Sequence, residues 1–201
     1  MKRKAQITRT TEETSIKIEF NLDGSGIREI ETSIAFFDHL LTQIAIHGSF
    51  DITLKADGDL EIDNHHLIED TAIVFGNAFK DALGDKVGIN RVGHCFFPMD
   101  ECLAFVAVDL SSRPFVKKDI TWVNPFLGSK EENLIPVDLI EHFLYSFAMQ
   151  AQLTLHVRLL YGSNNHHIAE AIFKALGKAL DYASRIDSKR ANILPTSKGL
   201  L

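Results

Sequence analysis

Two short stretches carry the same grouping of metal-type donors. "DNHHLIED" (63–70) holds His65, His66 and Glu69, and "NNHHIAEA" (164–171) holds His166, His167 and Glu170. On an α-helix, residues four apart share a face, whereas neighbours point about 100° apart. His65 and Glu69 can therefore grip one ion while His66 points to another, and His166, Glu170 and His167 repeat the pattern. Imidazole and carboxylate donors suit borderline divalent transition metals. A single His-x-x-x-Glu is more often an exposed polar pair. Two copies, each with an extra histidine and each preceded by another histidine-bearing helix, point to a metal centre.

The preceding helices supply His39, in "FFDHLLTQIA" (36–45), and His142, in "LIEHFLYSFA" (139–148). The expected grouping is one site from His39, His65, Glu69 and His167, and a partner from His142, His166, Glu170 and His66. Each has three imidazoles and one carboxylate. Octahedral coordination would leave two positions open for substrate or water. Which donors come from a neighbouring subunit is not written in one chain.

These motifs sit in a duplicated frame. His39 and His142 are 103 positions apart, and His65 and His166 are 101 apart. Between them, "FDITLKA" (50–56) and "QLTLHVR" (152–158) share the alternation of a half-buried strand. The order histidine helix, strand, double-histidine helix is kept. Helices are expected over 36–47, 65–84, 136–150 and 166–184. Strands are expected over 4–32, with a turn at "DGSG" (23–26), over 50–62, on either side of the "PMDE" turn, and onward through "SSRPFVKK". The fold class is α+β: two similar halves, residues 1–94 and 95–201, with antiparallel sheets covered on one face by helices and joined in one compact catalytic unit. Residues 119–135 have no counterpart in the first half and read as an exposed loop. Asn64 and Asn165 read as helix N-caps.

Composition narrows the class. A net charge of −6 disfavours duplex nucleic acid as a partner. No long apolar run suggests a membrane span, and no apolar segment follows the basic "MKRKAQITRT" as in a secretory signal, so the expected location is the cytoplasm. Cys95 and Cys102 lack metal-ligand spacing.

The halves also differ. Lys174 follows Glu170 by one helical turn on the ligand face, and the first half is apolar there. Arg91, Arg113, Ser197 and Lys198 are read as single polar groups near strand ends and in the "PTSKGLL" tail. Each cation taken alone reads as a solvated surface group. Together they suit phosphate oxygens.

The motifs "FFDHLLTQIAIHG", "DLEIDNHHLIEDTAIVFGNAFKDALGD", "PMDECLAFVAVDLSSRPF", "TLHVRLLYG", "NNHHIAEAIFKAL" and the terminal "TSKG" resemble the imidazoleglycerol-phosphate dehydratase family over nearly the whole chain. The chain departs from it in having "DNHH" where two acids usually precede the doublet, and in a longer 119–135 segment. The resemblance implies ribosomal-S5-domain-2-like halves and two Mn2+ ions per active site. It also implies a large homo-oligomer of about two dozen subunits (a 24-mer) with sites between protomers. The implied reaction is dehydration of D-erythro-imidazole-glycerol phosphate to imidazole-acetol phosphate. Carried onto this chain, the metal ligands are His39, His65, His66, Glu69, His142, His166, His167 and Glu170. Catalytic work falls to Glu13, His65 and Glu170. Substrate contacts fall to Glu13, Gln43, His47, Arg91, Arg113, Lys174, Ser197 and Lys198. From sequence alone Glu13 reads equally as an exposed loop glutamate. A dinuclear metallohydrolase is the alternative enzyme, distinguishable by release of inorganic phosphate. A metal-templated shell protein is the non-enzymatic alternative.

Overall fold

Strand alternation sets both sheets. In β2 (Thr14–Asn21) Ile16, Ile18 and Phe20 are buried while Lys17 and Glu19 face solvent. The computed structural model describes residues 3–128 and 134–200. The remaining elements are β1 (Lys4–Thr10), β3 (Arg28–Glu31), α1 (Ala35–Gly48), β4 (Asp51–Gly58), α2 (His65–Leu83), β5 (Val92–Met99), β6 (Cys102–Asp109), β7 (Phe115–Asp119), β8 (Phe126–Leu127), β9 (Ile135–Pro136), α3 (Val137–Gln150), β10 (Thr154–Tyr161) and α4 (Asn165–Ser184).

The sheets run β1-β2-β4-β3 and β5-β6-β10-β7. In each the last pairing is parallel (β3 with β4, β7 with β10) and the others are antiparallel. The two sheets thus repeat one topology. β5 begins at Val92, so the second sheet takes up residues 92–94 as well.

Helices cover one face of each sheet. α2 packs on β1, β2 and β4, and α4 packs on β5 and β6. α1 lies against α4, and α3 against α2, so each helix pair joins the halves. Phe143 lies at the centre, with ring centroids 5.4 Å from Phe37, 5.4 Å from Phe173 and 6.4 Å from Phe75, one from each other helix. Rings buried at such separations contribute about 0.5–1.5 kcal/mol per pair beyond their area.

Two expectations change. "SSRPFVKK" does not continue β6: Ser112 takes φ 57°, Pro114 lacks an N–H, and β7 restarts at Phe115 beside β10. The 119–135 segment is not simply an exposed loop. Leu127 and Ile135 are buried and pair in the β8–β9 ladder, and Asp119 belongs to β7. Residues 129–133, within that segment, lie outside the described residues.

Candidate metal centre

Two glycines let the helix pairs approach closely. A Cβ built on Gly177 would stand 2.9 Å from the Ile44 carbonyl oxygen and 3.0 Å from the Gly48 nitrogen, so α1 rests on α4 backbone to backbone. A Cβ on Gly76 would stand 2.6 Å from the Phe147 oxygen, and α3 rests on α2 in the same way. Any larger residue would hold the helices apart.

These crossings build two donor clusters. In the first, His39 of α1 meets His166 and Glu170 of α4: Glu170 Oε1 lies 2.9 Å from His39 Nε2 and 2.7 Å from His166 Nε2. In the second, His142 of α3 meets His65 and Glu69 of α2, at 3.0 Å from Glu69 Oε1 for His142 Nε2 and 3.5 Å from Oε2 for His65 Nε2. Within one chain the grouping read from the sequence is therefore corrected. His39 belongs with His166 and Glu170, and His142 with His65 and Glu69. The physical cause is the exchange of helices between halves: each single-histidine helix packs on the double-histidine helix of the other half.

The clusters differ in environment. The Glu170 side chain is 7% exposed and that of Glu69 37%. Lys174 Nζ lies 2.7 Å from Glu170 Oε2, while Ile73 holds the same spacing after Glu69. Burial works against the Glu170 charge, but hydrogen bonds from Lys174, His39 and His166 outweigh it and hold its pKa at about 2. Gln43 Nε2 lies 3.4 Å from His39 Nε2, and Ser146 Oγ lies 3.5 Å from His142 Nε2, each one turn along its helix. His47 packs edge-on against Phe97 at 5.0 Å, and Lys174 lies over the same ring. Burial, then Lys174 and Lys178, lower the His47 pKa.

His66 and His167 leave these clusters. Each ring stands nearly perpendicular to its neighbour's, at 87° to His65 and 88° to His166. His66 Nδ1 lies 3.0 Å from Asp59, and His167 Nδ1 lies 2.7 Å from Glu101. Glu13, in the β1–β2 turn, approaches His66 Nε2 at 3.9 Å. Asn64 is the N-cap residue of α2, as expected, but its side chain makes no capping bond, and the cap of α4 is Asn164, one residue earlier than expected. Asp63 accepts from His65 N, and Asn164 accepts from His166 N. Asn64 instead donates to the Leu134 carbonyl, and Asn165 donates to the Asn124 and Phe126 carbonyls while accepting from Val123 N. Both asparagines thus tie the 119–135 segment beside the histidine doublets.

The remaining cations gather elsewhere. Arg91 donates to both oxygens of Asp109 and to the Pro195 carbonyl, which fixes the tail carrying Ser197 and Lys198. Arg113 NH2 lies 3.8 Å from Asp109, and the buried Lys86 donates to Ser112 Oγ. Arg91 N also bonds the Ala183 carbonyl near the end of α4. Ala183 lies seventeen positions after His166 on the helix, or about 26 Å along the axis. Asp59, Glu101, Asp109, Lys86 and Ser146 are site neighbours that sequence reasoning missed. Asp59, Glu101, Asp109 and Ser146 lie within stretches already quoted but carry no spacing signal of their own, and Lys86 lies outside them.

The ligand atoms of each cluster lie within 4.8 Å of one another. Three converging imidazole and carboxylate donors, all through Nε2 and Oε, fit a divalent transition metal, and the second set repeats the first.

Residues 32–180 match the family described as imidazoleglycerol-phosphate dehydratase. The protein of that name from Streptomyces coelicolor is 51% identical, with all of both chains covered. That from Thermoanaerobacter pseudethanolicus is 50% identical over 99% of this chain and 100% of its own. The crystal structure from Pyrococcus furiosus, in complex with (S)-C348, superposes with a TM-score of 0.81 at 34% identity, covering 97% of this chain and 100% of that one. The Staphylococcus aureus structure gives 0.81 at 33%, covering 92% and 99%.

Proposed function

The chain belongs to the imidazoleglycerol-phosphate dehydratase family and is a hydro-lyase of histidine biosynthesis, and from that premise we propose a metal-dependent site shared between copies of the chain. The substrate is D-erythro-imidazole-glycerol phosphate and the product imidazole-acetol phosphate. The observation that carries the reading is the pair of equivalent donor clusters, His39/His166/Glu170 and His65/Glu69/His142. Each would hold one ion, with Mn2+ the expected metal. His66 completes the Glu170 cluster and His167 the Glu69 cluster, each from a neighbouring copy.

The departing hydroxyl does not stand beside a carbonyl, so the imidazole ring must take up the developing charge. Bound divalent metal supplies the Lewis acidity that favours imidazolate over neutral ring. The eight donor side chains orient the ring nitrogens between them. Glu13, exposed beside His66, is placed to move the proton, and Gln43, His47 and Lys174 contact substrate beside the Glu170 cluster. Arg91, Arg113, Ser197 and Lys198 take the phosphate.

Sharing between copies follows from reach. The Arg91 cluster stands at the far end of α4 from His166, and a three-carbon phosphate ester cannot span that helix. If both act on one substrate, they come from different protomers. The outward face of the second sheet supports self-assembly: Val92, Phe96, Phe115 and Leu160 are exposed there, whereas Lys17, Glu19 and Lys55 occupy the outward face of the first. We place the enzyme in the cytoplasm as a large homo-oligomer, each chain being one unit of two halves. Among the described residues no helix is long and apolar enough to cross a membrane. The test is turnover of imidazole-glycerol phosphate by the Mn2+-reconstituted protein, followed through the enolisable ketone product. Ketone formation that needs added metal supports the reading. Turnover unchanged after complete metal removal, or release of inorganic phosphate in place of ketone, overturns it.

A further inference from the structure

His66 and His167 stand apart from the other donor histidines in one respect. Among the described residues, they alone have Nδ1 on a carboxylate: His66 at 3.0 and 3.2 Å from the two oxygens of Asp59, His167 at 2.7 Å from Glu101 Oε2. An ionised carboxylate only accepts hydrogen bonds, so Nδ1 carries the proton, and in the neutral ring Nε2 keeps its lone pair. The other four rings already aim Nε2 at Glu69 or Glu170.

The two anchoring acids are not repeat equivalents. The 101-residue offset between His65 and His166 also holds along the preceding strand, where buried Ile52, Leu54 and Ala56 match buried Leu153, Leu155 and Val157. In that frame the counterpart of Asp59 is Leu160, which cannot serve as a carboxylate. The acid in the second half comes instead from Glu101, in the two-residue β5–β6 turn immediately before β6. Ser163 N donates to the other oxygen of Glu101, at 3.3 Å. The matching turn acid in the first half is Glu13, immediately before β2, and it faces His66 Nε2 rather than Nδ1. A contact left over from duplication would use equivalent residues. Here the same contact is built twice from different residues, which points to a demand on the histidine itself.

We propose that Asp59 and Glu101 are positioning residues that fix the tautomer and direction of His66 and His167, leaving each Nε2 free as the donor that joins one chain to an ion held by another. The proposal rests on the shared-metal reading above. Carboxylates behind ligating histidines are worth about 10–100-fold in metal affinity. In the second half one turn does both tasks, with Glu101 behind Nδ1 and Asp100 3.8 Å from Nε2. In the first half Asp59 takes the anchoring task and leaves Glu13 free.

The experiment titrates Mn2+ alone into metal-free Asp59→Ala and Glu101→Ala, reading bound metal by competition with a chelator and particle size by light scattering. Each variant should bind one of its two ions about 10–100-fold more weakly and the other normally. Metal-driven growth of the particle should shift to the same higher concentration. Asp59→Asn and Glu101→Gln, whose amide oxygens still accept from Nδ1–H, should recover most of the affinity. Thermal melting of the metal-free proteins should not change. Alanine variants that bind both ions and assemble like the parent overturn the proposal. So does a loss that tracks lowered metal-free stability and is not rescued by the amides. Failure of the underlying reading looks different: the unmodified protein would itself take up fewer than two ions, or assemble without regard to metal.

Discussion

His39 Nε2 stands 2.9 Å from Glu170 Oε1, across the join between the two halves of the chain. The ligand glutamate of His39's own half, Glu69, is engaged instead by His142. Each donor cluster is therefore assembled from both halves, and neither half holds one alone.

This relationship predicts how substitutions sort. His39→Ala should empty the same ion as His166→Ala and Glu170→Ala, and His142→Ala the same ion as His65→Ala and Glu69→Ala. Anomalous diffraction from metal-replete crystals of each variant shows which of two peaks is lost. If His39→Ala removed the peak that depends on Glu69, the clustering within the chain would not be the one that binds metal.

The glycine crossings predict a second effect away from any ligand. Gly177→Ala places a methyl within 3.0 Å of α1 backbone, and Gly76→Ala places one 2.6 Å from the Phe147 oxygen. Backbone cannot yield as a flexible side chain can, so each should cost about 1–3 kcal/mol in stability. Gly177→Ala should also weaken metal at the Glu170 cluster, because it lifts His39, while sparing the Glu69 cluster. Gly76→Ala should do the reverse. Urea unfolding and metal analysis check both, and equal loss at the two sites would show that the crossings do not set the cluster geometry separately.

Much of this was legible in sequence because its periodicities are strong. Alternation in "TSIKIEFN" and the histidine spacing on α2 and α4 specify strand and helix locally. What was not legible is long-range. Nothing in the spacing of His39 says that α1 will rest on the helix of the opposite half, since that depends on Gly177 meeting Ile44 and Gly48. The cap shift from Asn165 to Asn164 has the same origin: Asn165 is drawn into hydrogen bonds with Asn124 and Phe126. The bond between Arg91 and Asp109 depends on a hairpin register that a lone arginine does not reveal.

Acid should expose the Glu170 contribution. Its pKa in the folded chain is about 2, below the ordinary 4.5. A lowered carboxylate pKa gives stability that is complete above the ordinary value and lost as pH falls through the folded one. In metal-free protein, Glu170→Gln should thus be less stable than the parent at pH 7. Lys174 would then lack its carboxylate partner. The gap should persist to about pH 4.5 and close towards pH 2. Denaturant titration of both proteins across that range checks it. A gap absent at pH 7, or constant to pH 3, contradicts the ion-pair account.

Phosphate contacts should separate from metal contacts. Arg113→Ala or Lys198→Ala should raise KM roughly tenfold to a hundredfold, the scale of about 1.5–3 kcal/mol for one charge-assisted hydrogen bond. Bound metal should stay constant. An unchanged KM for either variant would mark that residue as a solvated cation with no part in the site.

Sharing of the site between copies can be tested by mixing two impaired proteins, assayed at a substrate concentration well below the raised KM of the arginine variant. His166→Ala lacks a metal donor, and Arg113→Ala lacks a phosphate contact. The two groups belong to regions about 26 Å apart along α4, so a site that uses both draws them from different protomers. Metal-free mixtures of the variants, reassembled with Mn2+, should contain sites whose metal donors come from the Arg113→Ala chain and whose phosphate contacts come from the His166→Ala chain. With random mixing in a symmetric assembly, about a quarter of the sites would be intact. Activity should therefore rise on mixing to roughly that fraction of the parent's, well above that of either variant reassembled separately. If mixing restores nothing although both variants enter one particle, Arg113 and His166 serve the same substrate from a single chain or not at all.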